Sequence, residues 1–406
     1  MRFLIAVTCA LAVLASCKEH HSDERVQETI RRTVLVYIAG DNDLKTEIAT
    51  DISQMMAGSK SMSKNDRLVL FVDKNGQIPY FLEVTDGDTI RIETLDGERD
   101  TASPATLREA MMWTINHYEA ESYGLVLWGH AEGWIVKHLA AASRGQRRAY
   151  GYDATGTNNW MEIADMASVL QSLPVKPLFI FADCCCFQSV ESAYELRNCT
   201  DYIIGSPAEI PAVGAPYQTV VPALFSQDST FYKEVVDAYY EQTVTQMKEP
   251  LSVIKTERMD DLAAATRTTL HSCITPMSDS LRTYPDVDSL IYYYDHTLFD
   301  MNDFVMRHAG AEQYEEWRRT FDEVVVCSAF TDVWVANHIS KRTQINKVYF
   351  TDFTVTEERY GGVSMFVPQP VSNGRSMTEQ LQIYNQSQTI NKMQWYSAAG
   401  LDQLGW

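Results

Sequence analysis

Short apolar runs and amphipathic stretches alternate along the first half of the chain. Thr33-Val34-Leu35-Val36-Tyr37-Ile38 is apolar and rich in β-branched residues, which predicts a buried strand, and Ala39-Gly40-Asp41-Asn42-Asp43 stops it as a turn. Leu44, Ile48, Ile52 and Met55 recur at helical spacing, so a helix is expected from Leu44 to about Met56. Leu68 to Val72 reads as a second strand, and Ile78 to Thr94 alternates around Asp86-Gly87 as a hairpin. Ser103-Pro104 supplies a cap and a first-turn proline for a helix reaching about Tyr118. Leu125 to Trp128 is a third strand, Trp160 to Leu170 a helix, Leu178 to Ala182 a fourth strand, Gln188 to Leu196 a helix, and Tyr202 to Ile204 a fifth strand.

Strands apolar on both sides, alternating with helices, predict an α/β fold: a mostly parallel sheet covered by helices on both faces. Sites in such folds lie at the C-terminal ends of strands. From about Phe231 the pattern turns more helical, with Phe231 to Met247 and Asp260 to Leu270 as candidates. Two late strand-like patches follow, Lys347 to Phe350 and Gly362 to Val367. The expected organisation is a catalytic domain over 31–249 and a C-terminal α/β region over 250–406 packed on it, with the boundary near Glu249-Pro250.

The N-terminus reads differently. Arg2 precedes an apolar run, Phe3 to Ala15, that is too short to span a bilayer and fits a signal peptide over 1–16. Leu14-Ala15-Ser16-Cys17 resembles the lipobox of bacterial lipoproteins, which makes Cys17 the expected lipidation site and 17–30 a polar tether. No later stretch is long and apolar enough to cross a membrane, so attachment would be through the lipid alone. The expected location is the bacterial cell envelope, at the outer membrane or cell surface.

Composition narrows the partners. With 34 basic and 54 acidic residues the formal charge is −20, which argues against nucleic acid and anionic membrane and suits basic substrates. Cysteine usage is unusual for an exported chain. Besides Cys9 and Cys17 the thiols are Cys184, Cys185, Cys186, Cys199, Cys273 and Cys327. Three in a row make a poor disulfide framework, and a poor zinc site, because converging thiolates need residues between them.

The ends of the third and fourth strands carry the chemistry. One runs into Gly129-His130-Ala131-Glu132-Gly133-Trp134, the other into Asp183-Cys184-Cys185-Cys186. A parallel sheet thus delivers an imidazole and a thiol to one rim. The thiolate is the nucleophile, and an imidazole can take the thiol proton and return it to a leaving amine. A strand-end histidine and a buried cysteine also have ordinary structural uses, and the pattern alone leaves both open.

These segments resemble the clostripain-like cysteine peptidases of the caspase-hemoglobinase fold. The resemblance rests on Thr33 to Tyr37 with Asp41-Asn42-Asp43-Leu44, on Leu125 to His130 with Gly133-Trp134, and on Arg148-Ala149-Tyr150-Gly151-Tyr152-Asp153. It also rests on Asp183-Cys184-Cys185 followed by Glu191 to Leu196, and on Gly362 to Pro368. Aligning Glu191 and Tyr194-Glu195-Leu196 with the family's helix puts its Asp-Ala-Cys motif on Asp183, Cys184 and Cys185. The resemblance therefore implies His130 and Cys185 as the catalytic pair, the backbone amides of Ala131 and Cys185 as an oxyanion hole, and cleavage after Arg or Lys. Asp183 would line the basic pocket, with Glu209 as a second candidate; the other use of Asp183 is to cap the following helix. Ala131 replaces the family's glycine and would be strained if the hole requires a left-handed backbone. No cofactor is expected, although calcium is used by some relatives.

Relatives are also cut between the two motifs. Here Ala140-Ala141-Ala142-Ser143-Arg144-Gly145-Gln146-Arg147-Arg148 lies between them, small, polar and basic. Arg144 is the first expected self-cleavage site, followed by Arg147 and Arg148; an ordinary solvated loop would look the same. Two other functions fit the sequence: a catalytically degenerate surface protein that binds peptides or glycans, and a protease confined to the maturation of partner proteins.

Overall fold

The computed structural model describes residues 29–134, 149–154, 159–241, 249–275, 290–294, 298–332, 334, 344–345, 348–349, 354–368 and 389–406. The early apolar runs form β1 (Ile30–Gly40), β2 (Asp66–Lys74), β3 (Gln77–Thr85), β4 (Asp88–Thr94) and β5 (Ala120–Trp128). A small pair, β6 (Tyr150–Asp153) and β7 (Asn159–Met161), precedes β8 (Phe179–Asp183), β9 (Tyr202–Gly205) and β10 (Leu251–Lys255). Later come β11 (Tyr292–Tyr294), β12 (Leu298–Asp300), β13 (Val325–Ala329), β14 (Gln344–Ile345), β15 (Val348–Tyr349) and β16 (Ser364–Phe366). The helices used below are α1 (Ile48–Ser59), α2 (Pro104–His117), α3 (Ile163–Gln171), α4 (Val190–Leu196), α5 (Tyr217–Leu224), α6 (Phe231–Glu241) and α7 (Met259–Cys273).

Nine strands form the central sheet, in the order β13-β10-β9-β8-β5-β1-β2-β3-β4. Its middle, from β9 to β2, is parallel; β3 and β4 extend one edge and β10 and β13 the other, all antiparallel. Successive residues of β1 go to opposite sides. Leu35, Tyr37 and Ala39 join the core under α2, α3, α4 and α7, while Val34, Val36 and Ile38 join the core under α1, α5 and α6. That period-two division with both faces apolar is what a doubly covered parallel sheet requires, and it explains why the run lacks polar alternation.

The predicted mostly parallel sheet with helices on both faces is therefore present, with local differences. The helix expected from Leu44 begins as a single 3-10 turn, Asp43–Thr46, because the Asn42 carboxamide accepts from Leu44 N at 2.9 Å and caps it; α1 starts at Ile48. Trp160 and Met161 belong to a strand, not to the following helix, since Met161 pairs with Tyr150. Gln188 precedes its helix: its amide bridges the carbonyls of Ile203 and Ser252 at 3.2 and 3.1 Å, and Ser189 caps α4. Asp183 is thus not that helix's cap. In the late patches, Val348–Tyr349 pairs with Gln344–Ile345, and Ser364–Phe366 joins β12.

The region after residue 250 packs on the first half and also lengthens its sheet through β10 and β13. It braces the segment that follows β8. Ser364 N donates to Gln188 O at 3.1 Å, and Phe366 N donates to the buried Glu191 carboxylate at 2.8 Å. Trp134, Cys186, Leu298, Phe366, Ile390 and Met393 form a small core with Cys185 packed against it. No helix among the described residues is long and apolar enough to cross a membrane. Cys17, the signal peptide and Arg144, Arg147 and Arg148 lie outside the described residues.

Candidate active site

Register brings the two motifs level. Trp128 of β5 pairs with Asp183 of β8, so His130 and Cys185 each leave the sheet two residues beyond the same rung. Glycine permits the exit on the histidine side. Gly129 has φ +147°, and a Cβ there would stand 3.0 Å from Ala39 O. On the cysteine side the turn is tighter: Cys186 holds φ +54° with its side chain fully buried, and Cys186 N donates to Ala208 O at 2.8 Å. Such a conformation for a non-glycine residue persists only where the surroundings impose it.

His130 and Cys185 line one cavity of about 360 Å³, together with Leu44, Trp128, Asp183 and Glu209. The His130 ring is partly exposed, and its Nε2 lies 2.8 Å from Asp43 Oδ1. No hydrogen bond joins His130 to Cys185 directly among the described residues; such contacts often tighten only when substrate binds. The Cys185 thiol accepts from Ile210 N at 3.4 Å and faces Ile210 O at 3.8 Å. Burial pushes the thiol up to about 12; the Ile210 amide opposes this, while Glu209, Glu132 and Asp183 add to it. At rest the sulfur is protonated. A base or an incoming positive charge is needed to make it a nucleophile.

Ala131 carries no strain. Its φ is not positive; Gly129 and Gly133 take the left-handed conformations of this segment instead. Ala131 forms an isolated bridge with Tyr150 in which Glu132 N and Gly151 N make the hydrogen bonds. Among the described residues, neither the Ala131 amide nor the Cys185 amide donates to an acceptor.

Asp183 is 4% exposed. Its Oδ2 accepts from Tyr217 Oη at 2.7 Å and Ala215 N at 3.1 Å, and its Oδ1 is buried with no hydrogen-bond partner among the described residues. Burial raises its carboxyl to about 6. Behind it, the Trp128 indole donates to the buried Asp51 at 2.7 Å. A carboxylate with one unfilled acceptor on a cavity wall is suited to a guanidinium or ammonium group. Among the described residues no group of three or more His, Cys, Asp or Glu is arranged to hold a metal ion. Among the described residues no disulfide joins the six cysteines from Cys184 to Cys327, and Cys184 and Cys186 are buried as small hydrophobic groups.

Two features carry little signal in the sequence: Asp43 reads there only as part of a turn, and Ile210 has no pattern of its own. The cue for Asp43 is its place just past the C-terminal end of a central parallel strand.

The profile of the clostripain family matches residues 36–402. A secreted C11 cysteine protease from Bacteroides thetaiotaomicron, solved with an irreversible peptide inhibitor, is 28% identical, with 92% of this chain and 99% of that chain covered and a TM-score of 0.73. An inactive zymogen C11 protease from Parabacteroides distasonis is 28% identical, with 91% and 98% covered and a TM-score of 0.71. A second secreted C11 protease from Bacteroides thetaiotaomicron shares the fold at 18% identity, with 91% of this chain and 99% of that chain covered and a TM-score of 0.73. No curated protein matches with significance.

Proposed function

The chain belongs to the clostripain family and is a cysteine peptidase, and we propose that Cys185 is its nucleophile and His130 its base. The observation that carries this reading is the shared cavity: a thiol, an imidazole and a buried, half-satisfied carboxylate line one space at the level ends of two parallel strands. In this mechanism His130 takes the Cys185 proton as the sulfur adds to the peptide carbonyl carbon. The carbonyl electron pair moves onto oxygen, where the Ala131 and Cys185 amides receive it. Collapse of the adduct breaks the C–N bond, and the amine leaves with the proton from His130. Water then adds to the thioester, giving one proton to His130; the C–S bond breaks, and the thiol is restored as the acid product departs.

Asp183 selects a basic P1 residue, Arg or Lys, with Glu209 at the same cavity as a second acid. Bringing a cation there also offsets the negative charges that hold the Cys185 proton in place, so recognition and activation reinforce each other. Substrates are accordingly peptides or proteins with exposed basic residues. Self-cleavage at Arg144, or at Arg147 or Arg148, releases the enzyme from a latent form; a relative of 28% identity is described as an inactive zymogen, which supports such a form here. Lipid on Cys17 holds the protein at the cell envelope, and a similar protease is described as secreted. The chemistry requires no cofactor, so EDTA should leave the rate unchanged; a loss restored by calcium would instead place this chain with the relatives that use calcium.

The test is chemical labelling. A thiol-directed inhibitor with an arginine-like side chain should modify Cys185, located by peptide mass mapping, and Asp183→Asn should slow that labelling far more than labelling by a neutral analogue. Modification of Cys184 instead would place the nucleophile one residue earlier.

A further inference from the structure

Asp43 stands where the mechanism needs something to orient its base. Its Oδ1 is 2.8 Å from His130 Nε2, although 87 residues separate the two in sequence. The Asp43 side chain is largely exposed, yet its backbone is fixed. The neighbouring Asn42 is buried: its amide donates to Ala39 O at 2.9 Å and Tyr152 O at 2.8 Å, and its carbonyl accepts from Leu44 N. Ala154 N donates to Asp41 O at 2.8 Å from the other side. The carboxylate is therefore presented to the imidazole from a pinned turn at the end of β1, the strand beside the one that delivers His130.

A carboxylate can only accept, so the nitrogen it faces must carry hydrogen. The His130 hydrogen bond holds the Asp43 carboxyl below the usual carboxylate range, consistent with an ionised acceptor. With hydrogen on Nε2, the neutral ring has its lone pair on Nδ1, which makes no hydrogen bond to a described residue. Trp160 stands near the ring, centroids 6.4 Å apart and tilted.

We propose that Asp43 is a positioning residue for the peptidase reaction, fixing His130 as the Nε2–H tautomer so that Nδ1 takes the Cys185 proton. It acts through His130 and touches no reacting atom. This rests on the assignment of His130 as the base.

Steady-state hydrolysis of an arginyl fluorogenic peptide by full-length Asp43→Ala, Asp43→Asn, Asp43→Glu, His130→Ala and wild type separates the possibilities. Asp43→Ala should lower kcat roughly tenfold to a hundredfold while KM changes by no more than about twofold, because only the proton transfer is affected. Asp43→Glu, which keeps the charged acceptor, should retain more activity than Asp43→Asn. A nitrogen-15 spectrum of the imidazole in Cys185→Ala protein should show the Nε2–H form, and adding Asp43→Ala should give a mixture of tautomers. A kcat unchanged in Asp43→Ala, or an Nδ1–H ring in Cys185→Ala, overturns the proposal. If His130→Ala is inactive while Asp43→Ala matches wild type, the role of Asp43 alone fails. If His130→Ala retains full activity, the assignment of the base fails, and the role of Asp43 with it.

Discussion

At the residue scale, the candidate site is three acids around one half-buried thiol. The Cys185 sulfur, pushed up to about 12 mainly by burial and further by Glu209, Glu132 and Asp183, should react slowly as a free thiol. Iodoacetamide alkylation of Cys185 in a His130→Ala background should rise about tenfold per pH unit up to about pH 10, since only the thiolate reacts. A plateau near pH 8 would show that neither burial nor the acids hold the proton on the sulfur. Gly214 offers a second probe. It holds φ +57°, and a Cβ there would lie 2.8 Å from Asp183 Oδ2. Gly214→Ala should raise KM for arginyl peptides roughly fivefold, equivalent to about 1 kcal/mol, with a smaller effect on a neutral P1 residue. Equal changes for both would mean that the acid is not what the side chain meets. That His130, Cys185 and Asp183 fall at neighbouring strand ends was legible in the sequence, because apolar runs mark those strands; the choice of Cys185 over its neighbours and the pocket role of Asp183 came from the family resemblance and are proposals here. The Asp43 contact was not, since it closes across 87 residues and depends on which strands are neighbours.

At the element scale, function depends on strand ends turning sharply on a rigid sheet. Gly129 is the exit from β5, and Gly129→Ala should destabilise the fold by about 1–3 kcal/mol and depress kcat along with it. Thermal unfolding and turnover measured together check this; an unchanged melting temperature with normal turnover would mean that the backbone there relaxes freely. Strands of the parallel centre were readable because their burial on both faces leaves unbroken apolar runs such as Leu68 to Val72. The antiparallel strands β10 and β13 were not. Val325–Ala329 is only partly buried and directly follows a helical stretch, so its pairing with β10 comes from tertiary context. Gln188 was placed in a helix for a related reason: its side chain spends its hydrogen bonds across strands, which no local pattern reveals.

At the scale of the whole molecule, buried carboxyls couple stability to pH. Burial raises Asp51 and Asp73 to about 8, Glu191 to about 7 and Asp183 to about 6, all above ordinary carboxylate values near 4. The folded state therefore holds more protons than the unfolded chain between about pH 4 and pH 8, and stability must fall as pH rises through that window. The net charge of −20 acts in the same direction, because acid lessens self-repulsion. Melting temperature should be highest near pH 5 and drop steadily to pH 8.5; a rise toward neutral pH would show these carboxyls to be ionised without penalty. The fold class was legible from the alternation of elements. The way residues beyond 250 brace α4 through Glu191 and Phe366 was not, because that contact spans 175 residues. The central proposal is one catalytic thiol, Cys185, in an acidic cavity. Its most direct test is hydrolysis of a peptide panel varied only at P1 by wild type, Cys185→Ala and Cys184→Ala. The expected result is turnover of arginyl or lysyl peptides by wild type and Cys184→Ala and none by Cys185→Ala; full activity in Cys185→Ala, or a wild-type preference for a neutral P1 residue, would contradict it.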